Sequence, residues 1–105
     1  MVTDADIQAL ADRIAAEFRP EQIILFGSQA GGKPSEDSDV DLMVVLPFEG
    51  PAYRTAARIR AALPGTFRID LIARTPADMR WRYASGDPFV REAVDHGVLL
   101  YTAAA

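Results

Sequence analysis

Ile23-Ile24-Leu25-Phe26-Gly27-Ser28, then ten residues from Gln29 to Ser38, then Asp39-Val40-Asp41-Leu42-Met43-Val44-Val45-Leu46 is the stretch that decides the fold. The first apolar run predicts a buried strand. The Gly-Ser pair at its end makes a tight turn, where small residues let a phosphate approach the backbone. Asp39 and Asp41 open a second apolar run. Side chains alternate along a strand, so the two carboxylates point the same way and can meet one cation, while Val40 and Leu42 face the opposite side. A phosphate turn joined to paired carboxylates suits a metal and a triphosphate.

Upstream, Thr3 with Asp6 resembles a capping box, and Ile7, Leu10, Ala11, Ile14 and Phe18 follow helical spacing until Pro20. Downstream, Pro47 and Gly50-Pro51 break the second strand, and Pro51 suits the first turn of a helix through Leu63. Pro64-Gly65 turns the chain into a third strand, Phe67 to Ala73. Thr75-Pro76-Ala77-Asp78 starts another helix, and Asp87-Pro88 repeats the device for Phe89 to Asp95, with Gly97 as the stop. Val98 to Tyr101 reads as a last short strand. The order α-β-β-α-β-α-α-β predicts an α/β (α+β) domain, a small mixed β-sheet with helices packed on one face. No helix separates the first two strands, so they can pair as a long-looped hairpin. A single domain is expected over residues 1–102, with 103–105 a frayed tail.

The chain has 105 residues, half of them apolar and a quarter charged, with a net charge of −4. No run of Lys or Arg marks a nucleic-acid groove, so direct nucleic-acid binding is not expected. Such a chain is better suited to holding a nucleoside triphosphate through Mg²⁺. Without Cys and with one His, thiolate-zinc and His-cluster sites are excluded. No stretch approaches the roughly 20 apolar residues of a membrane span. Thr3-Asp4-Ala5-Asp6 is no signal peptide, so a cytoplasmic location is expected.

Asp70 is the third notable acid, set inside an apolar strand between Ile69 and Leu71, where an unpaired buried charge is costly. A metal shared with Asp39 and Asp41 would offset that cost. The plainer reading makes the third strand an edge whose Arg68 and Asp70 face meets water. Two other motifs overlap the central stretch and fail. Gly27 to Gly32-Lys33 nearly reads as a P-loop, but Pro34 stands where Ser or Thr must ligate Mg²⁺. Asp37-x-Asp39-x-Asp41 imitates an EF-hand start, but Leu42 and Phe48 replace the required Gly and Glu.

Gly27-Ser28, the ten-residue gap, Asp39-Val40-Asp41 and the later Asp70 resemble the nucleotidyltransferase superfamily that includes DNA polymerase beta. Within it the chain is most similar to the minimal nucleotidyltransferases, the MNT antitoxins paired with HEPN-domain toxins, over about Ile7 to Tyr101. The resemblance implies that Asp39 and Asp41 bind two Mg²⁺, that Asp70 completes the catalytic metal site, and that Gly27 and Ser28 hold the triphosphate of ATP or another NTP. It also implies a partner: a HEPN-type toxin whose tyrosine receives AMP, making this chain an adenylyl-transferring antitoxin. Asp70 is then the best candidate to help deprotonate the incoming hydroxyl. Ser28, with no partner His, suits a phosphate hydrogen bond better than nucleophilic attack. Many relatives carry an Arg after the Gly-Ser pair. Here Gln29, Ala30, Gly31 and Gly32 stand there, and Lys33 is the first positive charge and a candidate triphosphate ligand. The alternative function is a catalytically weak binding module that neutralises a toxin by covering it.

Arg54 and Arg58, one helical turn apart, read as a solvated face. In Arg80-Trp81-Arg82-Tyr83, Trp81 reads as half core with the arginines outside. Tyr53 and Tyr101 read as packing residues, and His96 carries no assigned chemistry.

Overall fold

A computed structural model describes residues 2–31 and 39–103. Lys33, the prolyl break of the P-loop reading, Asp37 and the last two alanines lie outside the described residues.

Helix α1 (Asp4–Phe18) begins as its sequence demands. Thr3 Oγ1 accepts from the Asp6 N–H at 3.1 Å, and the Asp6 carboxylate accepts from the Thr3 N–H at 2.9 Å. Ile7, Leu10, Ala11 and Ile14 form its buried stripe. The helix ends at Arg19, in the left-handed region with φ 48°, just before Pro20. Strand β1 (Gln22–Phe26) leads into the single turn α2 (Gly27–Ala30). Strand β2 (Val40–Val45) pairs antiparallel with β1, Leu25 opposite Leu42 and Phe26 opposite Asp41, as expected of a hairpin, although the short turn α2, not expected from the sequence, follows β1 directly. Helix α3 (Ala52–Ala61) then carries the chain over to β3 (Ile69–Arg74), which runs parallel to β2. Arg60 reaches back from α3 to the Phe67 carbonyl at 3.3 Å, fastening the turn before β3.

Helices α4 (Pro76–Ala84) and α5 (Pro88–His96) carry the expected caps. Thr75 Oγ1 accepts from the Asp78 N–H, and the Asp87 carboxylate from the Phe89 and Val90 N–H groups. Strand β4 (Val98–Thr102) closes the sheet antiparallel to β1, giving the order β3-β2-β1-β4. The mixed four-stranded sheet is the one the sequence predicts.

Helix placement differs from the expectation of one covered face. Ile23, Leu25, Val40, Leu42 and Val44 pack with α1 and with Ile59 of α3. Ile24, Met43 and Val45 project from the other face onto Met79 of α4 and Val90 and Ala93 of α5. The physical reason lies in β2: Val40, Leu42, Met43, Val44 and Val45 are all buried, and a strand buried on both faces carries a continuous apolar run instead of an alternation. Asp41 alone in β2 is not buried. Among the described residues no helix is long and apolar enough to cross a membrane.

Candidate active site

The C-terminal end of β1, the N-terminal end of β2 and the N-terminal end of β3 meet at one end of the sheet. Phe26, the last residue of β1, is paired with Asp41, and Asp41 is paired across the parallel ladder with Asp70. Paired positions on neighbouring strands share a face, so the two carboxylates lie side by side. Asp39 precedes Asp41 by two residues and lies two rungs away, opposite Arg68 and on the same face. The sequence thus brings Asp39, Asp41 and Asp70 to one end of one sheet face.

Gly27 meets Asp41 directly. Its φ is +73°, a region L side chains avoid, and a β-carbon built there would collide with the Asp41 carboxylate and lie 3.0 Å from its Cγ. Glycine is required at this position twice, once for backbone geometry and once for space. Gly27 and the adjacent Ser28 are exposed, so the turn is open to a ligand.

Electrostatics mark Asp41 among the three acids. Partial burial pushes its pKa above the ordinary carboxylate value, and the Asp70 and Asp39 charges push it further the same way. A positive charge placed between these groups would relieve all three contributions. Asp39 makes a different contact: the Arg68 Nε lies 3.2 Å from its Oδ1. Among the described residues no three His, Asp or Glu side chains converge as a ready-made metal cage. An open site of this kind still fits Mg²⁺, which takes one or two carboxylates and completes its shell with water and substrate phosphates. The all-oxygen donor set fits the same ion.

Asp70 itself is exposed. Asp70 is not the costly buried charge its apolar neighbours suggest, because β3 is an edge strand and its Asp70 meets water. Its place beside Asp41 comes from the strand pairing. Arg68, which sequence reasoning treated only as part of a solvated face, is drawn into the site. The signal was present: Arg68 precedes Asp70 by the same two residues that separate Asp39 from Asp41, and parallel pairing aligns the two segments.

A cavity of about 430 Å³ adjoins the turn, lined by Phe26, Gly27, Gly31, Phe89 and His96 among others. Phe26 and Phe89 meet edge to face, ring centroids 5.3 Å apart. Elsewhere, Arg54 and Arg58 are exposed as read. Trp81 and Tyr53 are not packing residues: they stand 65% and 69% exposed, and Met79 supplies the buried anchor of α4. Tyr101 is half-buried against the core.

The sequence matches the family model of the nucleotidyltransferase domain over residues 7–100. This chain belongs to the nucleotidyltransferase domain family. Solved structures share the nucleotidyltransferase fold. One, from Sulfolobus solfataricus and classed by inference as a nucleotidyltransferase, has a TM-score of 0.62 at 18% identity, covering 91% of this chain and 77% of that chain. A toxin–antitoxin with AMP-PNP has a TM-score of 0.59 at 20% identity, covering 91% and 73%. A mutant of the toxin–antitoxin MntA–HpeT, with two aspartates replaced by glutamate, has a TM-score of 0.55 at 20% identity, covering 97% and 75%. No curated protein is significantly similar to this chain.

Proposed function

We propose that this nucleotidyltransferase transfers AMP from ATP to a partner protein, as the antitoxin that modifies a HEPN-type RNase toxin on tyrosine. The observation that carries the transferase reading is the meeting of Gly27 with Asp41 and of Asp41 with Asp70, which joins a phosphate turn to a carboxylate pair. Asp39, Asp41 and Asp70 would hold Mg²⁺, two ions in this reading, whose chemistry is to neutralise charge on the attacking and leaving oxygens at phosphorus. Gly27 lets the β- and γ-phosphates approach the backbone, and the Ser28 hydroxyl donates to one of their oxygens. Asp70, exposed at the sheet edge, is reachable by an acceptor hydroxyl and suited to accept its proton. An AMP–oxygen bond forms at the α-phosphorus, the bond to the leaving diphosphate breaks, and the hydroxyl proton passes to Asp70.

A protein acceptor is suggested by the fold neighbours. Two neighbours of the same fold are toxin–antitoxin structures, one with AMP-PNP and one altered at two aspartates two positions apart, the spacing of Asp39 and Asp41 here. The test is calorimetric titration of Mg·ATP into wild type and into Asp39→Asn/Asp41→Asn. Equal binding by both would overturn the site.

A second reading, a module that silences a toxin by covering it, draws on Gln29 in place of the usual Arg and on the lack, among the described residues, of a ready-made cage. Burial and the nearby Asp70 and Asp39 charges disfavour an ionised Asp41 unless a cation sits beside it, which argues against this reading.

A further inference from the structure

Pairing between β2 and β3 continues one rung beyond their shared strands. The Val40 N–H donates to the Arg68 carbonyl oxygen at 2.9 Å. Since Val40 stands opposite Ile69 and Asp41 opposite Asp70, the preceding rung sets Asp39 against Arg68. Their side chains complete that rung with the 3.2 Å ion pair. On this face one rung therefore carries two carboxylates, Asp41 and Asp70, and the rung two steps earlier a carboxylate paired with a guanidinium.

We infer that Arg68 is a latch on the candidate metal site, an internal counter-ion that holds Asp39 until a divalent cation displaces it. The inference rests on the carboxylate reading of the function but assigns a role to a residue outside the acid set. A guanidinium is a donor only and keeps its charge at any working pH, so it competes with a cation both for the Asp39 oxygen and through its field. Among the described residues no trio of acids converges, and Asp39 is paired with Arg68. The pair is able to open: Arg68 is 71% and Asp39 46% exposed, and exposed pairs are weak and screened by salt. Arg68 acts here as a positioning residue, through Asp39.

The test uses MnCl₂ alone, without nucleotide, titrated into wild type, Arg68→Ala, Arg68→Gln, Arg68→Lys and Asp39→Asn/Asp41→Asn. Free Mn²⁺ is read from its electron paramagnetic resonance signal. The neutral variants should bind Mn²⁺ about two- to fivefold more tightly than wild type at low ionic strength. Arg68→Lys should stay near wild type, and the gap should close toward ~1 M KCl, where the screening length falls to roughly 3 Å. An exposed Arg68 makes misfolding a poor explanation for such a gain. Neutral variants that bind no more tightly than wild type would overturn the latch alone. Wild type binding no better than Asp39→Asn/Asp41→Asn would overturn the metal site and the latch with it.

Discussion

Gly27 and Asp41 are packed so closely that a side chain on one displaces the side chain of the other. The contact links the Gly27-Ser28 turn directly to the Asp41 carboxylate. Gly27→Ala should cost about 1–2 kcal/mol from the left-handed backbone alone. It should also move Asp41, and a shift of ~1 Å in a positioned group can lower transfer about 100-fold. Gly31, with no positive φ and only ordinary contacts around a built β-carbon, is the control: Gly31→Ala should leave denaturant stability within about 1 kcal/mol of wild type. Urea unfolding and a transfer assay on both variants check the pair of outcomes.

Asp41 should weaken the fold at neutral pH. A carboxyl whose folded pKa is raised is disfavoured when ionised, so its cost appears as pH rises through the window above 3.8 and is complete at neutral pH. Asp41→Asn should therefore melt above wild type at pH 7, with the gap closing in acid below 3.8, while losing Mn²⁺ binding. Thermal melts from pH 3 to pH 7 read the stability, and a melting temperature below wild type at neutral pH would contradict the electrostatics.

Asp87 behaves oppositely. The Val90 N–H holds its carboxyl below the ordinary value of 3.8, and Arg82 and the Phe89 N–H add to the effect. A lowered folded pKa contributes stability that is present above 3.8 and lost as pH falls through the folded value. Asp87→Ala should melt below wild type at neutral pH, and the difference should shrink in strong acid. The cap lies outside the candidate site, so Mn²⁺ binding by the folded variant should be unchanged.

Coverage of both sheet faces has its own signature. Met43 is fully buried against α4 and α5, and Ile14 against the opposite face. Met43→Ala and Ile14→Ala should each cost about 2–5 kcal/mol in urea unfolding. A negligible cost at Met43 would mean that α4 and α5 do not seal their face.

Much of this architecture is legible in the sequence because its punctuation is local. The Thr3–Asp6 box, the Thr75-Pro76 and Asp87-Pro88 starts and the Gly97 stop each fix an element boundary through neighbouring residues. The carboxylate spacing reads equally well, since alternation along β2 is a local property. Long-range placement does not read so directly. Whether β3 joined β2 in parallel depends on where α3 returned the chain, and only that pairing reveals Arg68 opposite Asp39. The second helical layer was encoded in the unbroken Met43-Val44-Val45 run, which a one-faced sheet would have interrupted with a polar residue. Asp70 misled for the same reason: its apolar neighbours suggested burial, but edge strands expose such positions.

The central claim is that the acids at the end of β2 and β3 drive transfer of a nucleotide to another protein. The most direct measurement is the intact mass of the protein encoded beside this chain, after incubation with the chain, ATP and Mg²⁺. Asp39→Asn/Asp41→Asn serves as the control. The account expects added AMP with wild type and none with the variant. A stable complex whose partner keeps its mass with both would contradict it.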